Sequence, residues 1–135
     1  ATKEETPRSV AGGGGAPGRA AASRGLHTAA PDREMERLAS DGDPTNARRA
    51  ALAQSLGLKS AQPRYEAFLA RAPALIARTA RERRGAALAE ALALWERSTA
   101  LAASARRLSL DPASTTFELA GMLAALAPGE GKAAA

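Results

Sequence analysis

The sequence predicts an all-α protein, an irregular bundle of short helices behind a flexible Gly-rich N-terminal arm. Three observations carry that expectation. Ala and Leu dominate the composition, and with Arg and Glu they are strong helix formers. Residues that favour strands are scarce: Val10 and Ile76 are the single residues of their kinds, and the aromatics are Tyr65, Phe68, Trp95 and Phe117. The apolar positions recur at helical spacing, and two Asp-Pro pairs, Asp43-Pro44 and Asp111-Pro112, have the form of a cap followed by a first-turn proline.

In chain order, residues 1–16 are polar and then Gly-rich through Gly12-Gly13-Gly14-Gly15, with too few large apolar groups to offset the entropy of ordering them. Pro17 to Arg24 reads as a short helix stopped by Gly25. A second helix starts at Asp32 as N-cap, continues through Leu38 and ends at Asp41-Gly42. Asp43-Pro44 opens a third, with Ala51 or Leu52, Leu56 and Leu58 facing inward. Pro63 and Pro73 each suit a helix start and damage a helix interior, so the economical reading is one helix over Pro63–Ala72 and another over Pro73–Arg84. Tyr65, Phe68, Leu69 and Ala72 form the apolar stripe of the first, and Leu75, Ile76, Thr79 and Ala80 that of the second.

The longest helix is expected from Ala86 to Leu108. It carries two stripes, Leu88, Leu92, Trp95 and Ala102 on one side and Leu94, Leu101, Ala105 and Leu108 roughly opposite, so both sides call for partners. Asp111-Pro112 begins the last helix, which bears Phe117, Leu119, Met122, Leu123 and Leu126 before Pro128-Gly129 ends it. The tail from 128 to 135 is expected to be disordered. No repeat of solenoid length is evident.

A chain of 135 residues can build one domain with a real core, or a smaller one with a loose arm. With no cysteine there is neither a disulfide nor a thiolate metal site, and one histidine, His27, cannot build a His-based one. No metal and no cofactor are expected. No apolar run is long enough to span a bilayer and no secretory leader pattern is present, so a soluble, cytoplasmic protein without a membrane partner is the default. A phosphate-cradling Gly-Lys-Ser/Thr loop is missing, and the serines lack a nucleophile-elbow context. No catalytic residue stands out.

The net charge of +5 is concentrated: five arginines and a single acid fall within residues 71–84. Arg78, Arg81 and Arg84 are candidates for phosphate contacts, because guanidinium binds phosphate through paired hydrogen bonds, but the same spacing describes the solvated face of an amphipathic helix. Trp95, with Leu88 and Leu92 on its stripe, suits either a core or the centre of a subunit interface. Leu88, Leu92, Trp95, Leu101, Leu108, Phe117 and Leu123 are the residues expected at one or the other.

Three passages, taken in order, carry a resemblance: Gly-Gly-Ala-Pro-Gly-Arg-Ala at 14–20, Ala-Gln-Pro-Arg-Tyr-Glu-Ala-Phe-Leu at 61–69, and Leu94-Trp95-Glu96-Arg97 followed by Leu108-Ser109-Leu110-Asp111-Pro112 and Phe117-Glu118-Leu119. The chain resembles, over residues 11–127, the C-terminal lid and collar portion of the delta-prime subunits of bacterial DNA polymerase III clamp loaders, members of the AAA+ family. The order and spacing of the passages weigh more than any one of them.

The resemblance implies a division into an arm at 1–16, the end of lid-like helices with a linker at 17–42, and a helical collar and oligomerisation domain at 43–127. It places Arg19 at the sensor-2 position of the lid, as a nucleotide-sensor-like residue and not a catalytic one, since such subunits generally lack ATPase activity of their own. The implied partners are the other clamp-loader subunits, with DNA reached only indirectly; the implied process is DNA replication, as part of a DNA-directed DNA polymerase holoenzyme that loads the sliding clamp on primed DNA. The AAA+ module itself, its Ser-Arg-Cys element and the zinc-module cysteines do not occur in this sequence, and the polar start from Ala1 to Val10 fits a lid helix poorly. A fragment, a truncated gene product and an expressed piece of the subunit all accommodate that difference. The rival expectation is a small basic helical DNA-binding protein, such as a phage packaging adaptor or a regulator, working through Arg71 to Arg84.

Overall fold

The computed structural model describes residues 31–128. The expected arm, the expected helix over Pro17–Arg24, Arg19, His27 and the residues from Gly129 onward therefore lie outside the described residues. Among the described residues there are five helices and no strand: α1 over 31–41, α2 over Ala47–Leu56, α3 over Gln62–Ala80, α4 over Gly85–Leu108 and α5 over Pro112–Ala124, with a 3-10 turn at Lys59–Ala61 leading into α3. They form an irregular all-helical bundle, and no helix among the described residues is long and apolar enough to cross a membrane.

Helix α1 contributes Met35 and Leu38 to the core. Asp32, expected to cap it, lies inside the helix, and its carboxylate pairs with Arg71 of α3 instead. The end is as expected: Gly42 takes a left-handed φ of 74°, which glycine adopts without a Cβ clash, and its N–H bonds the Leu38 carbonyl at 2.8 Å.

Helix α2 starts at Ala47 and not at Pro44. Asp43 to Asn46 form a turn closed by the Asn46 N–H on the Asp43 carbonyl at 3.1 Å, with Asn46 at φ 65°. Asp43 still caps the helix, from further back than its sequence position suggested. Its buried carboxylate accepts the N–H groups of Arg48 and Arg49 at 3.1 and 2.8 Å, satisfying two of the free donors of the first turn. Leu52, Ala53 and Leu56 face the core, whereas Ala51 and Leu58, considered for that face, are exposed.

The two helices expected on either side of Pro73 are one. Pro63 sits in the first turn of α3 as expected, but Pro73 lies in its interior. An interior proline removes an N–H and crowds the preceding turn, a cost of about 3 kcal/mol. Packing outweighs it: Tyr65, Phe68, Leu69, Ala72, Leu75, Ile76 and Ala80 are all buried and form one uninterrupted stripe across the proline. A break at Pro73 would rotate Leu75 and Ile76 off the face that Phe68 and Leu69 occupy. The helix stops at Ala80, so Arg81 to Arg84 form the corner into α4 instead of a last helical turn.

Helix α5 is built as expected at its start. The Asp111 carboxylate accepts the Ser114 N–H at 2.8 Å and Pro112 occupies the first turn. It ends at Ala124, and Leu126, expected within it, is buried in the following turn with its N–H on the Leu123 carbonyl at 3.0 Å. The core is filled by Phe68, Leu38, Leu56, Ile76, Leu119 and Leu123. α5 lies chiefly on α2 and α4 chiefly on α3.

Candidate functional site

The feature of the bundle that its own packing does not account for is the open side of α4. Its buried residues are Ala91, Leu94, Ser98, Ala102 and Ala105. Four of the five have small side chains, so α4 can approach the bundle closely along that line. Ser98 needs no partner on another helix, because its hydroxyl donates to the Trp95 carbonyl one turn back at 2.9 Å. Neither stripe expected from the sequence is the buried one: Ala102 from the first joins Leu94 and Ala105 from the second, on a line that runs between the two.

The large apolar residues of α4 are displaced to the flanks. Leu88 and Leu101 are half-buried against the core, while Leu92 is 46% exposed, Trp95 39% and Leu108 60%. Of the residues expected in a core or an interface, Leu123 is fully buried and Phe117 is half-buried; Leu92, Trp95 and Leu108 do not belong to the core of the single chain. The reason is geometric. A helix running along one side of a bundle buries a stripe of roughly a third of its circumference, and the line of small residues wins it because it allows the closest approach.

The arginines divide. Arg78 donates to the Glu36 carboxylate at 2.9 Å, and that bond and charge raise its pKa above the usual guanidinium value. Arg71 pairs with Asp32, so both arginines tie α3 to α1. Arg83 donates to the Leu126 carbonyl and pins the α3–α4 corner to the end of α5. Arg81 lies beside Arg71 and Arg78 in one shallow groove, and Arg84 is exposed at the start of α4. Arg78, Arg81 and Arg84 therefore do not form a single free basic row.

A cleft of 530 Å³ opens between the first turns of α3 and the α4–α5 junction, lined by Tyr65, Glu66, Leu69, Arg106 and Leu110 among others. The hydroxyl of Tyr65, itself buried, makes no hydrogen bond among the described residues. Nothing in this lining pairs a nucleophile with a base, and no group of three or more potential metal ligands occurs among the described residues.

One local device escapes sequence reasoning. Arg49 of α2 lays its guanidinium over the Phe117 ring at 3.9 Å from the centroid and donates from Nε to the Phe117 carbonyl at 3.1 Å. Gly121 leaves room for it, since a Cβ there would lie 2.5 Å from Nη2. An arginine and a phenylalanine 68 positions apart carry no local signal of that contact. No protein-family model, no curated protein and no solved structure matches the chain, so the all-helical bundle and the open side of α4 are what stand as its description.

Proposed function

We propose that the chain is a non-catalytic assembly module that joins other protein chains through the open side of α4, and that the assembly is a bacterial clamp-loader collar of the delta-prime type. The observation that carries the assembly reading is Trp95, 39% exposed beside the more exposed Leu92 on the longest helix of the described residues. An exposed indole is the kind of residue in which interface centres are enriched, and the leucine beside it extends the apolar patch. Covering such side chains contributes roughly 1.5–3 kcal/mol each, enough to hold a lasting assembly when several act together. The clamp-loader identity rests on the order of the three passages at 14–20, 61–69 and 94–119. A basic DNA-binding helix has less support, because Arg71 and Arg78 are engaged by Asp32 and Glu36.

The test is sedimentation of the purified chain with the delta and tau/gamma clamp-loader subunits of its own organism. Co-migration that is lost in Trp95→Ala, with helicity unchanged by circular dichroism, supports the proposal. A chain that ignores those subunits but binds duplex DNA with an affinity falling steeply in salt overturns it in favour of the basic binder.

A further inference from the structure

The same open side of α4 is complementary to itself. Leu88, Leu92, Trp95, Thr99, Ala103 and Arg106 follow one another at intervals of three or four residues and so share one face of the helix. Its N-terminal half carries the large residues Leu92 and Trp95, and its C-terminal half the small ones Thr99 and Ala103, all four exposed. Charge divides the same way. On and beside this face the N-terminal half of the helix carries Glu96, and the C-terminal half Arg106 and Arg107.

We infer that in the isolated protein a second copy of this chain covers this face, the two α4 helices running antiparallel about a two-fold axis near Thr99. In that arrangement Trp95 lies opposite Ala103 of the second copy and Leu92 opposite the stem of its Arg106, so each bulky residue meets a small or flexible one. Glu96, which flanks the face, comes within about a helical turn of the opposing Arg106, and two-fold symmetry makes the contact twice. The parallel alternative sets Trp95 on Trp95 and brings Glu96 towards its own copy, which like-charge repulsion opposes. A helix of 24 residues is about 36 Å long, a seam of the length that helical dimers use. The inference does not depend on which larger assembly the face serves; a collar partner would displace the second copy.

Sedimentation of the full chain across a concentration series tests it, alongside two variants whose changes are confined to exposed charges: Glu96→Lys, and Arg106→Glu. The wild type is expected to dimerise. Each variant alone, folded by circular dichroism, should dissociate about tenfold more readily or worse, and an equimolar mixture of the two should recover the dimer, since every facing pair is then opposite in charge. Because the chain has no cysteine, a nitroxide on Ala89→Cys reports orientation: a pair distance of about 30 Å fits the antiparallel arrangement. A wild type that stays monomeric, a dimer indifferent to both charge reversals, or a label distance near the ~10 Å of a parallel pair overturns the inference. Failure of the chain to join clamp-loader subunits would leave this dimer untouched, so the two readings fail separately.

Discussion

Two residues show how closely the ends of these helices are specified. Asp111 accepts the Ser114 N–H, and that bond, then one from the Ser114 hydroxyl, holds its carboxyl below the ordinary value of ~3.9. Because the folded-state pKa is the lower one, the carboxylate favours the fold fully above the unfolded value, and the contribution disappears as pH falls through the folded one. Asp111→Ala is expected to lower Tm at neutral pH and to flatten the loss of stability as pH falls through the acidic carboxylate range, whereas Asp111→Asn keeps a neutral cap and removes that acid dependence. Thermal melts across that range check both. Gly57 is held by space and not by conformation, with an ordinary φ of −78°. A Cβ there would lie 2.9 Å from the Ala53 carbonyl oxygen and 3.0 Å from the Ala113 Cβ, where α2 meets the start of α5. Gly57→Ala should cost about 1–3 kcal/mol by overpacking, and Ala113→Gly in the same chain should return part of it, a coupling that denaturant titration of the four proteins measures. Asp111-Pro112 was legible in the sequence because a cap is local; Gly57 was not, because the atoms that exclude a side chain there belong partly to another helix.

At the scale of the element, α3 and α4 show the two ways packing overrides local rules. The stripes over Tyr65–Ala72 and Leu75–Ala80 were both readable, but whether Pro73 divided them was a contest between about 3 kcal/mol of proline cost and the burial of residues on both sides. That contest leaves a signature. Pro73→Ala restores an N–H for the Leu69 carbonyl and should raise stability by about 1–2 kcal/mol, less than the full proline cost because the unfolded chain regains freedom; a rise in Tm with helix content unchanged is the expected result. In α4, periodicity named two apolar stripes and the bundle buried neither whole. Hydrophobicity scales rank Leu and Trp above Ala and Ser, but the distance between helix axes is set by side-chain size, and Ala91, Ser98, Ala102 and Ala105 bring α4 closest. The exposed Trp95 is a consequence of that choice.

For the whole molecule, the distinction that matters is between residues that hold the fold and residues that meet something else. Phe68 is fully buried at the centre of the core and Trp95 is 39% exposed. Phe68→Ala is expected to cost about 3–5 kcal/mol and to unfold the bundle as one unit, while Trp95→Ala should shift the same denaturant curve far less and act on association; equal losses in the two variants would place Trp95 with the fold. By itself the sequence determined the helical class, the places where α1 ends and α5 begins, and nearly all of the α3 stripe, because propensity, caps and helical periodicity act over a few neighbouring residues. Only the tertiary structure decided that Pro73 lies within a helix, that α5 rests on α2 and α4 on α3, that Arg78 is drawn to Glu36, and which side of α4 is left open. Each of those outcomes depends on surfaces brought together from distant parts of the chain, and their size and charge can be compared only once they touch.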